Sequence, residues 1–196
     1  MDSHTGRALE GSGILGRPAE EQRRLVAEFS DRARAVAARV SGARSLAEAA
    51  RIIAETADAE SPAGRYIATS DVIAAYPDLS RELGEHGVKL ESDIEAGAEA
   101  AGAGELAAAL MGGVVIVAGR TGVAETGSVL VGDFSLSARL VEMLAETCYV
   151  LLPAHALLPG LDEMGKLLAE KPPPAIAISR SSRGRAVRRT SSVCSL

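Results

Sequence analysis

The sequence has no tryptophan and few aromatic residues of any kind, which make up 3% of its 196 residues. A hydrophobic core must therefore be built mainly from alanine, valine, leucine and isoleucine. Such residues are plentiful, since 47% of the chain is hydrophobic and 24% is charged. This balance is typical of a globular protein and excludes a disordered or fibrous one. A chain of this length usually forms one domain.

Cysteine and histidine are also scarce. Cys148 and Cys194 lie far apart, and His4, His86 and His155 share no metal-ligand spacing. The sequence therefore has no disulfide framework and no CxxC pair for zinc or an iron–sulfur cluster. We predict a protein from a reducing compartment, with no metal and no cofactor of its own.

Long apolar runs are absent as well. A membrane-spanning helix needs roughly 20 apolar residues, and the N-terminal segment lacks the apolar core of a signal peptide. We therefore expect a cytoplasmic protein with no membrane role. The net charge of −5 argues against nucleic acid as a partner. Five arginines nevertheless cluster near the C-terminus: Arg180, Arg183, Arg185, Arg188 and Arg189.

Four regions differ in pattern. Residues 1–17 are rich in glycine and serine, and we predict a disordered lead-in. Residues 18–58 have apolar positions at helical spacing, with a second helix opened by a capping box of Ser45 and Glu48. These helices either pack on the core or bind a partner. Residues 59–180 alternate between strands and helices, and residues 181–196 form a basic tail.

The alternating region predicts the fold class. Apolar runs indicate strands at 64–70, 86–92, 112–119, 127–133, 148–153 and 174–179, and helical spacing indicates helices at 77–85, 134–146 and 155–170. Strands alternating with helices specify an α/β fold, with a mainly parallel sheet flanked by helices.

The segment GRTGVAETGSVLV at 119–131 is the most informative stretch. It resembles the signature of the LUD-domain family, in which a strand enters an A-E-T/S-G-T/S turn and a second apolar strand follows. The similarity continues through residues 138–164, and RYIATSD and LSRELGEHGVKL resemble the family's strand–helix–strand entry. The sequence is thus similar to the lactate utilization protein C type of this family.

That resemblance implies a fold similar to those of ribose-phosphate isomerases, glucosamine-phosphate deaminases and CoA transferases. It also implies a role in a three-part system that oxidises L-lactate to pyruvate, whose other subunits carry iron–sulfur clusters. This chain would be the component without a cluster, with those subunits as its partners.

The A-E-T-G-S turn supplies most candidate site residues. Glu125 follows a buried strand, where open α/β sheets bind ligands. Thr126 and Ser128 offer hydroxyls, and Gly122 and Gly127 let the backbone approach a small carboxylate closely. In one interpretation Glu125 is the nucleophile or base of a stand-alone enzyme acting on a small acid, or on a CoA-linked or sugar-phosphate ligand. In the other, it accepts backbone N–H bonds in a tight turn.

Three further residues have competing interpretations. Arg139 either holds a ligand carboxylate or pairs with Asp133 or Glu142. His155 either titrates in a site or starts a helix, and Cys148 is expected to pack as a small hydrophobic residue.

The sequence departs from the family pattern just before the A-E-T-G motif and at the C-terminal end. Arg120 stands near the position of an aspartate that relatives carry before A-E-T-G. Relatives also have an S-G-P-S-R-T-A-D-I-E loop followed by a further strand, of which only Ser182 and Arg183 can be placed here. The tail is therefore expected to lack the final strand and leave a sheet edge exposed. Its origin is either a genuine basic tail or a reading-frame break.

Overall fold

The computed structural model describes residues 17–57, 65–91, 113–131, 145–170 and 190–195. Its helices are α1 (Ala19–Ala35), α2 (Leu46–Ala57), α3 (Ser70–Ala75), α4 (Leu79–Glu85) and α5 (Leu161–Glu170), and a short 3₁₀ turn spans Ala154–Ala156. Its strands are β1 (Arg39–Gly42), β2 (Tyr66–Ala68), β3 (Leu90–Glu91), β4 (Val114–Val123), β5 (Ser128–Val131), β6 (Thr147–Leu152), β7 (Leu157–Leu158) and β8 (Thr190–Ser195). The predicted α/β class is confirmed.

The strands form one sheet in the order β1-β8-β6-β4-β2-β3, and all of these neighbours pair in parallel. Strand β5 pairs antiparallel with β4, and β7 pairs with β4 in parallel. The apolar run that begins β4 lies at the centre and is buried, as expected for a strand with helices on both faces.

Side chains on the two faces of the sheet form separate cores. The first face is covered by α2, α3 and α4, and its core contains Ala49, Ile53, Val72, Leu79 and Leu83. The second face is covered by α1, whose Leu25, Phe29 and Ala33 pack with alternate residues of β4 and β6. The two N-terminal helices therefore belong to the domain core.

Local hydrogen bonds explain where these two helices sit. The Glu48 N–H donates to Ser45 Oγ at 3.2 Å, and the Glu48 carboxylate accepts from the Arg44 N–H at 2.9 Å. The predicted capping box is confirmed, although its return bond reaches one residue further upstream than usual. At the start of α1, Arg17 Nη1 donates to the Leu157 carbonyl at 2.7 Å and anchors the helix on β7.

Strand β1 was not expected, because Val40 fits the helical spacing of the preceding segment. The structure ends α1 at Ala35 and turns the chain at Ala37, whose φ of 66° lies in the left-handed region. The following residues then pair with β8. A pairing partner this distant in sequence overrides a local helical pattern.

Strand β8 overturns the expectation that the tail lacks a final strand. Thr190–Ser195 lies between β1 and β6, so the edge of β6 is covered. The segment TSSVCS contains β-branched residues and no proline, which suits a strand. The arginine-rich residues before it, at 180–189, lie outside the described residues.

The helix predicted from His155 to Glu170 is also corrected. A 3₁₀ turn and β7 occupy 154–158, and α5 begins only at Leu161. Pro159 explains the delay, since proline inside a helix removes a backbone donor and clashes with the preceding turn. The helix predicted at 134–146 lies almost wholly outside the described residues, and the strand predicted at 174–179 lies entirely outside them.

Candidate functional site

The A-E-T-G-S sequence forms the tight connection between β4 and β5. Val123 pairs with Ser128, and the Gly127 N–H donates to the Val123 carbonyl at 2.9 Å. The Ser128 N–H donates to Thr126 Oγ1 at 3.3 Å. Residues 124–127 are called the AETG turn below. As predicted, Glu125 lies just beyond the end of a buried strand.

Gly127 fixes the AETG turn against α1. Its φ of 70° lies in the left-handed region, which disfavours any residue with a Cβ. A Cβ added here would lie 2.4 Å from the backbone nitrogen of Ala33 and 2.8 Å from the Ala33 Cα. Only glycine therefore permits this close approach to the last turns of α1.

Glu125 fixes the other side of the AETG turn against α5. Its Oε2 accepts a hydrogen bond from the Leu161 N–H at 3.1 Å, and its own N–H donates to the Pro159 carbonyl at 3.0 Å. Leu161 is the first residue of α5, where a negative charge is stabilised by the helix dipole. A carboxylate that accepts a backbone N–H bond, as Glu125 does from Leu161, is what the structural interpretation of Glu125 predicts. A chemical role for Glu125 stays a prediction.

Gly160 makes room for this carboxylate. A Cβ at Gly160 would lie 2.8 Å from Glu125 Oε2 and 3.4 Å from Glu163 Oε2. Both carboxylates thus converge at the start of α5. Glu125 itself is exposed, so its carboxylate also faces solvent.

The other predicted residues are only partly brought together. Thr126 and Ser128 lie on or beside the AETG turn, where Ser128 is exposed and Thr126 is half-buried. Gly122 instead faces the core, since a Cβ there would lie 2.6 Å from Leu157 and 2.8 Å from Leu152. Core packing therefore accounts for this glycine, which sequence reasoning did not anticipate.

Three candidates lie away from the AETG turn or cannot be placed. Arg139 lies outside the described residues. His155 is exposed in the 3₁₀ turn after β6, and Cys148 packs half-buried against the second-face core. Within the described ranges, no three or more histidine, cysteine or acidic residues are grouped so that they could hold a metal ion. No helix in those ranges is long and apolar enough to cross a membrane.

Sequence reasoning missed a second polar group at the carboxyl edge of the sheet. Arg120 is the extra residue of a bulge, because Gly119 pairs with Val131 and Thr121 already pairs with Leu130. It is the one exposed residue of β4. The departure of Arg120 from the family pattern was the available signal, but its place on a bulge could not be read from sequence.

Polar residues also follow β2 directly. The Thr69 N–H donates to the Ile116 carbonyl of β4 at 3.3 Å, and the Thr69 hydroxyl donates to Asp71 Oδ1. Thr69 is buried, Asp71 is half-buried and Ser70 is exposed. The sequence places Thr69 and Ser70 at the end of a predicted strand, and Asp71 only in the family-like segment RYIATSD.

Comparison with solved structures finds a similar fold. A crystal structure of a DUF162 family protein from Deinococcus radiodurans matches with a TM-score of 0.61 and 18% sequence identity. The match covers 89% of this chain and 98% of that protein. It supports the fold alone at this level of identity.

Two comparisons of sequence give different results. No curated protein matches the chain. The family model of the LUD domain, by contrast, matches residues 26–187, which include the C-terminal part of α1, the whole of β4 and the AETG turn. The chain therefore belongs to the LUD domain family.

Proposed function

We propose that this protein supports the oxidation of L-lactate to pyruvate, as a cytoplasmic LUD-domain component of the lactate utilization protein C type. In this proposal it carries no cluster itself and acts together with iron–sulfur subunits. The observation that carries the proposal is the family match over residues 26–187, within which the A-E-T-G-S sequence forms a defined turn.

The geometry of the AETG turn favours a role in contacting a partner. Gly127 holds the turn against the backbone of α1, and Glu125 holds it against α5. The turn is thus held on two sides while its acid remains exposed. A surface that is already ordered loses little conformational entropy when a partner binds.

An exposed apolar residue adjoins this surface. Leu161 is 56% exposed although it is a large hydrophobic residue, and its N–H is the group that binds Glu125. An acid beside an exposed leucine can combine a polar contact with burial of apolar area, as protein interfaces usually do. We propose that the iron–sulfur subunits contact the AETG turn and the start of α5.

Complementation of growth tests this role. The gene is deleted in its host, and the strain is given the wild-type chain, the Glu125→Gln variant or the Glu170→Gln variant. Glu170 is an exposed acid at the far end of α5 and serves as the matched control. The deletion strain should fail on L-lactate but grow on pyruvate. Wild type and the control should restore growth, and Glu125→Gln should restore it poorly.

Two further measurements separate function from folding. Glutamine keeps the size of Glu125 and an oxygen for the Leu161 N–H, so stability should change by less than about 1 kcal/mol. Capture with a tagged chain should recover an iron–sulfur protein with wild type and less of it with Glu125→Gln. Normal growth of the deletion strain on L-lactate would reject the proposal. Turnover of a small acid by the isolated chain would support the stand-alone enzyme instead.

A further inference from the structure

Helix α5 packs on a small core of its own. Among the described residues, Val123, Leu158 and Met164 form a hydrophobic cluster that is separate from the two cores of the main sheet. Val123 and Leu158 are paired at the ends of β4 and β7, and Met164 packs on them from α5. The core beneath α5 is thus distinct from those beneath α1 and α4.

Little apolar surface holds α5 in place. Met164 is the one buried residue among its ten, and Leu167 and Leu168 are half-buried. By comparison, α4 has seven residues and buries Leu79 and Leu83 completely. Since the free energy of opening a segment depends largely on the apolar contacts that it loses, α5 should open far more easily than α4.

The sequence of α5 adds to this weakness. Gly165 lies in the middle of the helix, where glycine is unfavourable because it loses more backbone entropy on folding than any other residue. In the part of the chain that the structure describes, an added Cβ would meet nothing within 4 Å, so packing does not require this glycine. Helix α5 therefore depends on contacts made at its ends.

Glu125 supplies such a contact. Its Oε2 accepts from the Leu161 N–H at 3.1 Å and so satisfies a donor that has no partner within the helix. The carboxylate also lies at the positive end of the helix dipole. The residue before the helix is Gly160, which has no side chain to serve as a cap. The AETG turn therefore provides the cap of α5 from a distant part of the sequence.

We propose that α5 is a lid that opens as a unit while the rest of the domain stays folded, and that Glu125 is the latch that holds it closed. Opening breaks the bond to Leu161 and separates Met164 from Val123 and Leu158, so apolar surface beside the AETG turn becomes accessible. This inference goes beyond the proposed partner role, since it concerns the isolated chain and needs neither lactate nor an iron–sulfur subunit.

Native-state hydrogen exchange of the purified full chain tests the lid. Amides of residues 164–169 report on α5, and those of residues 114–118 in β4 report on global unfolding. We expect the α5 amides to be at least about 100-fold less protected than those of β4. Their exchange should hardly respond to low urea concentrations, because local opening exposes little surface. Equal protection and equal urea dependence in the two elements would overturn the proposal, since α5 would then open only with the whole domain.

Variants of Glu125 test the latch. Glu125→Ala should speed α5 exchange by about 5- to 20-fold, because a hydrogen bond and a favourable interaction with the helix dipole are both lost. Glu125→Gln keeps an acceptor for the Leu161 N–H and should have a smaller effect. Glu170→Ala removes an exposed acid from the other end of α5 and should not speed exchange. The latch is rejected if Glu125→Ala changes nothing, or if Glu170→Ala has an equal effect.

Gly165→Ala provides the opposite change. Alanine favours a helix and meets no obstacle here, so α5 exchange should slow by about 2- to 5-fold. In the double variant it should offset part of the effect of Glu125→Ala. Thermal melts show whether each variant is folded, and Gly165→Ala still tests the lid if Glu125→Ala does not fold. Unchanged α5 exchange in Gly165→Ala would show that helix formation does not limit opening and would overturn the proposal.

Discussion

The Gly127→Ala substitution tests whether the AETG turn depends on its close contact with α1. Two costs add at this position. The φ of 70° places an alanine in the left-handed region, at about 1–2 kcal/mol. The new Cβ would also lie 2.4 Å from the Ala33 nitrogen, and the backbone must move, which adds about 1–3 kcal/mol. The free energy of unfolding should therefore fall by about 2–5 kcal/mol, a large part of the stability of an ordinary domain.

Two other glycines separate these costs. Gly87 has a φ of 78° but nothing within 4 Å of an added Cβ, so Gly87→Ala measures the conformational cost alone. Gly84 lies in α4 with open space and no left-handed φ, and Gly84→Ala should stabilise the protein by about 0.5–1 kcal/mol. Urea unfolding followed by circular dichroism gives all three values. If Gly127→Ala costs no more than Gly87→Ala, the contact between the turn and α1 is not as described.

Three further predictions concern the rest of the fold. Tyr149→Phe removes the 2.7 Å hydrogen bond between the Tyr149 and Thr56 hydroxyls. The free energy of unfolding, measured by a thermal melt, should fall by about 0.5–1.5 kcal/mol. An unchanged melting temperature would contradict this prediction. The hydrogen bond from Arg65 lowers the pKa of Glu91 from its ordinary value of 4.5, so the pair stabilises the protein at neutral pH and that contribution disappears as pH falls through the lowered pKa. The free energy of unfolding of wild type should therefore be slightly larger than that of Glu91→Gln at pH 7, and the two values should converge near pH 3. Urea unfolding at both pH values measures this, and a difference that does not change with pH would count against the coupling. Truncation after Arg189 removes β8 from between β1 and β6 and should abolish cooperative unfolding, whereas a melt like that of the full chain would show that β8 is dispensable.

The sequence predicted those elements whose signals are local. The run GGVVIVAG is apolar without interruption, and it is the central strand β4. Ser45 and Glu48 lie at capping-box spacing, and α2 begins beside them. Such elements depend on neighbouring residues, so periodicity and capping are sufficient to find them.

The elements that were missed depend on distant partners. Strand β1 exists because it pairs with β8, and no local pattern distinguishes Val40 in a strand from Val40 in a helix. Strand β8 was misread as part of an arginine-rich tail, although TSSVCS alone suits a strand. Its position is set by pairing with β6.

The candidate site was predicted in composition but not in geometry. The A-E-T-G-S sequence placed Glu125 at a strand end, but its bond to the Leu161 N–H depends on where α5 starts. The packing role of Gly122 depends on Leu152 and Leu157, which follow about 30 residues later. The bulge at Arg120 likewise appears only once the register of β4 and β5 is known.

The position of β8 has a consequence for the order in which the protein folds. Strand β8 follows β1 and β6 in the sequence, yet it lies between them, and Arg39 meets Ser192 across roughly 150 residues. During synthesis from the N-terminus, β1 therefore has no neighbouring strand until nearly all of the sheet has been made. Pairings this distant form slowly, because a long loop must close before any contact offsets the entropy lost. Until then β6 presents an open edge, so chaperone binding to the nascent chain should be greatest just before β8 leaves the ribosome.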